Sequence, residues 1–123
     1  MERRRTKRRP ILATFSLFVV VPQKGPHRLS VHDVSDLGIG FDLDTEGEIE
    51  TDFPLKQGER LQLHFYLNQS LFLPISVQVA RLDREGEIRR VGGEIVDKKG
   101  KPLEAFQAFI QMLDAVSEAV EIK

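Results

Sequence analysis

Short runs in which apolar and polar residues alternate, separated by turn residues, constrain the fold of this chain more than any other feature. Alternation with a period of two buries one face of an extended strand and exposes the other. The runs, of which the first is almost continuously apolar, predict strands at residues 11–21, 28–34, 39–43, 61–67, 71–82 and 88–96. Six short strands at this spacing are typical of a small antiparallel barrel. Pro74 has no amide hydrogen to donate, so we expect a sheet edge or a bulge there.

After the last predicted strand, apolar residues recur at the spacing of one face of an α-helix. Pro102 suits the first helical position, where its missing amide hydrogen is not needed. The predicted helix covers about residues 102–121 and closes one open end or face of the barrel. Its apolar face consists of Phe106, Phe109, Ile110, Leu113, Val116 and Val120. The predicted fold is therefore mostly β: a basic arm at residues 1–10, then one domain at residues 11–123, a six-stranded antiparallel barrel with a C-terminal helix.

Composition and charge narrow the classes of function. A chain of 123 residues with 41% hydrophobic and 30% charged residues suits one soluble domain. Without cysteine there is no disulfide framework, thiolate metal site or cysteine nucleophile, which fits the reducing cytoplasm. Residues 1–10 contain six Lys or Arg and one Glu, whereas the remaining chain contains 12 Lys or Arg and 18 Asp or Glu. A basic arm on an acidic body predicts that the arm meets an anion.

Arg4 and Arg8 stand four residues apart within the basic arm. A guanidinium group is permanently charged and planar, and it binds phosphate through two parallel hydrogen bonds. The same fork matches O6 and N7 of guanine. This chemistry predicts a phosphate-containing ligand with a guanine edge. Taken alone, the arm is also compatible with a solvated polybasic tail for nucleic acid or an anionic membrane.

Asp33, Ser35 and Gly38 form a second polar group, at the corner between two predicted strands. Aspartate can accept hydrogen bonds from guanine N1–H and N2–H, and serine can donate or accept beside it. Residues two apart on an extended chain point to the same side, so the two side chains are expected to act together. Glycine permits a positive φ or a close approach of a ligand. The alternative is an ordinary Asx or Ser turn that ends at glycine.

The order and spacing of these residues resemble the two-part signature of the PilZ domain family, which comprises bacterial receptors for cyclic di-GMP (c-di-GMP). Residues 91–95, Val-Gly-Gly-Glu-Ile, are similar to the Gly-x-x-Phe strand of that family. The resemblance implies a split barrel with a C-terminal helix, and it covers nearly the whole chain. Leu37 departs from the pattern, because the family more often has a second glycine or a small residue at this position.

The resemblance also implies roles for individual residues. Arg4 and Arg8 would hold guanine and phosphate, and the other base would contact Asp33, Ser35 and Gly38. Arg3 resembles family members that bind a stacked, self-intercalated ligand dimer, so such a dimer is a candidate form of the ligand. Arg5 and Arg9 have the same spacing as the first pair and are the alternative register.

We expect a cytoplasmic second-messenger receptor that has no enzyme activity, cofactor or metal. The arm, without apolar periodicity, is expected to be disordered until the ligand folds it onto the barrel and presents a new surface to a downstream protein. Two alternatives remain. One is a β-barrel adaptor that binds nucleic acid or anionic membrane nonspecifically through the arm, with no specific nucleic-acid recognition. The other is an interaction module without a ligand.

Three other features are interpreted without a binding role. The acids from Asp42 to Asp52 resemble the opening of a calcium-binding EF-hand, but Phe53 occupies the twelfth place, where glutamate is needed, so we predict a solvated strand and loop. His27, His32 and His64 lack metal-ligand spacing. His32 adjoins the second motif, at the rim of the ligand or simply exposed on a strand. The run at residues 11–21 is too short to span a bilayer and lacks a signal-peptidase pattern, so we expect a strand.

Overall fold

The computed structural model describes residues 9–10, 17–45 and 47–119, which form seven strands and one long helix. The elements are β1 (Arg9–Pro10), β2 (Phe18–Val20), β3 (Leu29–Ser35), β4 (Gly38–Leu43), β5 (Arg60–Tyr66), β6 (Phe72–Glu85), β7 (Ile88–Ile95) and α1 (Lys101–Ala119). A short 3-10 turn at Pro22–Lys24 follows β2.

Six of the strands close into an antiparallel barrel. Their order is β3, β2, β5, β6, β7 and β4, and β4 pairs back onto β3 to complete the ring. Closure removes the free edges that an open sheet would present to other chains. The predicted fold class, a mostly β protein with a six-stranded antiparallel barrel and a C-terminal helix, is therefore confirmed.

The two-residue strand β1, which is not one of the six ring strands, also pairs with β3. Arg9 faces Val34 and Pro10 faces Asp33 in an antiparallel ladder with β3. The last two residues of the predicted arm thus pair their backbones with the barrel. Residues 1–8 lie outside the described part of the chain, as do residues 11–16 of the first predicted strand, of which β2 forms the later part.

The β6–β7 hairpin is longer than the alternation predicted. Its ladder continues to the pair Glu85–Ile88, so β6 extends beyond the predicted end at residue 82 and the turn falls at Gly86 and Glu87. Gly86 has a φ of 63°, a conformation that glycine adopts without a steric penalty and that suits a two-residue hairpin turn.

At Pro74, β6 pairs with only one neighbouring strand among the described elements. It faces His64 of β5, whereas the ladder with β7 reaches only the pair Val77–Ile95. The missing amide hydrogen of proline is therefore tolerated, as expected for a sheet edge. The bulge in β6 falls elsewhere, between Val79 and Arg81.

The helix α1 buries its predicted apolar face against the barrel. Leu103, Phe106, Ile110 and Leu113 are buried, and the ring of Phe106 meets Phe65 of β5 edge-on with centroids 5.2 Å apart. Helix packing of this kind stabilises the fold by removing apolar area from water. On the same helix, the Gln107 side-chain amide donates to the Asp36 carbonyl at 3.1 Å. This bond fixes the helix beside the β3–β4 turn.

The acidic segment after β4 forms a loop that hydrogen bonds hold against the barrel. Arg89 of β7 is buried and donates from Nε and Nη2 to the two carboxylate oxygens of Asp44, at 2.8 Å each. Its Nη1 donates to the Phe53 carbonyl at 2.9 Å, and the Asp44 amide donates to the buried Glu48 carboxylate. The predicted solvated strand and loop is a loop beyond Leu43, but solvation is wrong for Glu48, which is buried, and for Asp44, which binds the buried Arg89.

Candidate ligand site

A β-bulge in β3 decides which side chains of the second motif reach the outer surface. Val31 faces Phe41 and Asp33 faces Gly40, so the register shifts between Val31 and Asp33. Val31 and Val34 are buried, whereas His32 and Asp33 between them are both half-exposed. An inserted residue lets two neighbours share one face. Without it, Asp33 would point inward like Val31.

Asp33 is half-buried and is positioned by a neighbouring histidine. Its Oδ2 lies 3.0 Å from Nδ1 of His32, whose Nε2 lies 3.6 Å from Oδ1 of Asp42. His32 therefore sits between two carboxylates and holds the Asp33 carboxylate at the barrel surface. The interpretation of His32 as simply exposed is wrong, because 26% of its side chain remains accessible and the rest packs in this cluster.

Ser35 and Gly38 face each other across the turn formed by Asp36 and Leu37. The buried Val34 separates Asp33 from Ser35, so the two polar side chains lie on the outer side, as expected from their spacing. Ser35 is itself only 7% exposed. It therefore offers less surface to a ligand than Asp33 does.

Gly38 is required for close packing and not for a left-handed backbone. It is not among the glycines with positive φ. A Cβ atom built on it would lie 3.1 Å from the Gly93 carbonyl oxygen and 3.2 Å from Ser35 Oγ. Of the two reasons that the sequence offered for this glycine, the positive φ is therefore wrong, and a close approach, here by the protein itself, applies.

Two glycines to which the sequence assigned no role in the site form the floor beside Asp33. Gly40 of β4 faces Gly92 of β7. A Cβ on Gly40 would lie 2.7 Å from Asp33 Oδ1 and 2.8 Å from His32 Cε1. Glycine within a strand often marks such a close approach. The sequence showed that both glycines lie within predicted strands, but it could not show that they face each other.

The outer surface here is a groove of about 740 Å³. Its lining consists of His32, Asp33, Arg81, Asp83, Arg84, Glu85, Arg90, Val91 and Gly92. The volume falls within the range of about 300 to 1,000 Å³ that is usual for small-molecule sites. Of the predicted site residues, Asp33 lines this groove, while Ser35 and Gly38 lie one step further along the same two strands.

The predicted arginines are described only at the end of the arm. Arg3, Arg4, Arg5 and Arg8 lie outside the described residues, and for Arg9 the backbone alone is described. That backbone runs in β1 directly beside Val34 and Asp33. The chain thus brings the end of the arm and the second motif together on β3.

The helices of the described residues lack the length and apolarity that a membrane span requires. The same residues contain no cluster of three or more acidic or histidine side chains suited to a metal ion.

Residues 2–111 match the family model of the PilZ domain, so this chain belongs to the PilZ domain family. The family resemblance drawn from the two motifs is therefore confirmed. No curated protein matches the chain.

Solved structures share the fold at low sequence identity. The PilZ domain of YcgR from Escherichia coli, solved with c-di-GMP, has a TM-score of 0.73 at 20% identity, covering 98% of this chain and 100% of that one. The MrkH–c-di-GMP complex from K. pneumonia has a TM-score of 0.77 at 15% identity, covering 97% of this chain and 55% of MrkH. The Bacillus subtilis inhibitor of motility MotI has a TM-score of 0.70 at 18% identity, covering 94% and 53%.

This chain spans about half the length of full YcgR and of MotI. At these identities the likeness establishes a common fold, and the function has to be argued from the site itself.

Proposed function

We propose that this PilZ domain is a cytoplasmic receptor for c-di-GMP, which binds on the outer face of the barrel at β3 and β4. The observation that carries the proposal is the bulge in β3, which turns Asp33 outward beside a glycine floor, on the strand that also pairs with the end of the basic arm. The YcgR and MrkH structures, which share this fold, contain c-di-GMP. Their likeness supports the same ligand here.

Asp33 is proposed to accept from N1–H and N2–H of one guanine, because a carboxylate offers two acceptor oxygens with the spacing of those donors. His32 keeps the carboxylate in place from the side. Ser35, with the little surface that it exposes, is proposed to support the base, and Gly38 lets Ser35 pack closely against β4 and β7. Hydrogen bonds to a charged group are worth about 1.5 to 3 kcal/mol each, so Asp33 is expected to dominate recognition of this base.

The basic arm is proposed to supply the positive charge that pairs with the phosphates of the ligand. In the preferred register Arg4 and Arg8 bind guanine and phosphate with Arg3 adjacent, and Arg5 and Arg9 form the alternative register. The backbone of Arg9 is paired beside Asp33, and a chain spans at most about 3.6 Å per residue, so Arg4 can reach no further than about 18 Å from Arg9. This tether keeps both arginines within reach of the groove.

Signalling is proposed to follow from closure of the arm over the ligand. The ligand carries negative charge that residues 1–8 can neutralise, and an ordered arm would add a new surface next to β3 for a downstream protein. Because Arg3 directly precedes Arg4, a stacked dimer of the ligand is a second candidate for the bound form. The domain acts as a receptor and not as an enzyme.

The surface aromatics disfavour the alternative of a nucleic-acid adaptor. Phe18 and Tyr66 stack with ring centroids 4.7 Å apart, and Tyr66 lies 5.2 Å from Phe72. Arg28 covers the end of this row at Phe18, 4.8 Å from the ring centre, and His64 stacks on Phe72 at 4.2 Å. Single-stranded nucleic acid binds nonspecifically by stacking bases on free ring faces. The ring faces that contact one another or Arg28 are not available for stacking a base.

Titration calorimetry with c-di-GMP tests the proposal. We expect the wild-type chain to bind and both Arg8→Ala and Asp33→Ala to bind at least about tenfold more weakly, because each loses a charge-assisted contact. Arg60→Ala serves as a matched control, since Arg60 is exposed on β5 and does not line the groove. A wild-type chain that binds no c-di-GMP would reject the receptor, and equal binding by Arg8→Ala would reject the role of the arm.

The same chain is then compared on single-stranded RNA by filter binding. A receptor is expected to retain c-di-GMP in preference to RNA, whereas tighter retention of RNA would favour the adaptor.

A further inference from the structure

We infer that Arg81 is an additional ligand-binding residue, which binds a phosphate of the nucleotide from the wall of the groove opposite Asp33. The inference rests on the proposed function, because it assigns a second contact to the same ligand. Nothing in the two-part sequence signature includes this residue, which stands in the middle of β6.

Arg81 and Asp33 end one row of residues that crosses four neighbouring strands. Asp33 faces Gly40, Gly40 faces Gly92, and Gly92 faces Arg81. Neighbouring strands lie about 4.8 Å apart, so the row measures about 14 Å from β3 to β6. A carboxylate thus stands at one end and a guanidinium at the other, with two residues that lack side chains between them.

A second bulge turns Arg81 outward, as the first does for Asp33. The β6–β7 register shifts between Val79 and Arg81, and Val79 is buried while Ala80 and Arg81 are both exposed. Two bulges therefore present charged side chains from the two outer strands of the row. Bulges recur next to active sites, where the extra residue redirects a side chain at the cost of a local break in the ladder.

Gly92 lets the arginine lie along the floor of the groove. A Cβ on Gly92 would be 3.3 Å from Nε and 3.5 Å from Nη2 of Arg81. The guanidinium is therefore held close to the β7 backbone with its other side toward the groove. In this position it lines the groove beside the glycine pair, where a phosphate could meet two of its N–H groups.

Arg81 differs in its ion pairs from Arg84 and Arg90, the other arginines of the groove. Arg84 binds Glu50, and Arg90 lies 3.1 Å from Glu85. Within the described part of the chain, Arg81 has neither an ion pair nor a hydrogen bond to an acid. A guanidinium without a carboxylate partner is free to pair with an external anion, and the phosphate of a cyclic dinucleotide is the anion that the proposed ligand supplies.

Calorimetry of the full chain with c-di-GMP tests this assignment, using Arg81→Ala, Arg81→Lys and the control Arg60→Ala. We expect Arg81→Ala to bind about 10- to 100-fold more weakly, from the loss of a charge-assisted hydrogen bond. Arg81→Lys should retain much of the affinity, because an ammonium still binds phosphate as a point charge but cannot fork to a guanine edge. Thermal melting should show all three variants folded, since both arginines are exposed.

Two results would overturn the assignment while leaving the receptor intact. Binding by Arg81→Ala equal to that of the wild type would exclude any contact. A loss in Arg81→Lys as large as that in Arg81→Ala would show that the fork reads guanine and not phosphate. Failure of the wild type itself to bind would instead reject the proposed function, so the two failures are distinguishable.

Discussion

Gly40 shows how much depends on a single missing side chain. Its position is on the outer face of β4, where a strand in water would tolerate almost any residue. Asp33 and His32 nevertheless lean over it so closely that a methyl group would overlap both. Gly93, one residue beyond Gly92 on β7, is confined for a different reason, because a Cβ there would lie 3.0 Å from Val77 inside the core.

The two glycines therefore predict opposite outcomes. Gly40→Ala should displace the ends of two surface side chains, leaving the melting temperature nearly unchanged but weakening c-di-GMP binding about tenfold or more. Gly93→Ala should overpack the core and cost about 1 to 3 kcal/mol of folding free energy. Denaturant unfolding and calorimetry on both variants check this. Unchanged affinity in a folded Gly40→Ala chain would show that the position of Asp33 does not matter for binding.

Among the elements, the loop after β4 depends most on electrostatics. The buried Arg89 guanidinium, which donates two hydrogen bonds to the Asp44 carboxylate, holds the pKa of that carboxyl below its ordinary value. Asp44 also has a φ of 75°, which aspartate and asparagine tolerate better than most residues. The conformation of this loop therefore depends on Asp44 and on the Arg89 side chain of β7 that binds it.

Removing Arg89 should therefore destabilise the whole barrel. Arg89→Ala leaves Asp44 as a carboxylate without its partner in a nearly closed site, and loss of one member of such a buried pair costs about 3 to 5 kcal/mol. Urea unfolding at neutral pH measures this cost. A change below about 1 kcal/mol would show that the loop is held mainly by its other contacts.

The same pair predicts a pH dependence. Because the pKa of Asp44 is lower in the folded state, its contribution to stability is present above the unfolded value of about 3.9 and is lost as the pH falls through the folded pKa. Asp44→Asn keeps the backbone preference but removes the charge. The wild type should lose its stability advantage over this variant as urea unfolding is carried from pH 6 toward about pH 3. A constant difference across that range would contradict the assignment.

At the scale of the whole molecule, the barrel and β1 contribute very differently to the stability of the fold. The barrel owes its stability to its own core and to α1, whereas β1 contributes only a two-residue ladder at the edge of β3. The structure thus separates folding, which the barrel supplies, from ligand closure, which the proposed function assigns to the arm.

Deletion of residues 1–8 should accordingly preserve the fold and impair binding. The truncated chain is expected to melt within a few degrees of the wild type and to bind c-di-GMP at least about tenfold more weakly, because all the arm arginines except Arg9 are removed. Hydrogen exchange of the full chain should show new protection at residues 2–8 when ligand is added. Full affinity after truncation, or no change in exchange, would exclude closure of the arm.

The sequence by itself determined the class of fold and the chemistry of the two motifs. Alternation along the strands and the apolar stripe of α1 are local patterns, and burial of those faces requires little beyond their period. The spacing of Asp33, Ser35 and Gly38 likewise lies within a few residues, so its resemblance to a family signature could be read directly.

Only the tertiary structure decided how the site is assembled. The bulges in β3 and β6, the pairing of Gly40 with Gly92, and the position of Arg81 across from Asp33 depend on strand register, which is set by closure of the whole barrel. A shift of one residue would turn each of these side chains to the other face. No local pattern could predict them, because the residues meet only after distant strands have paired.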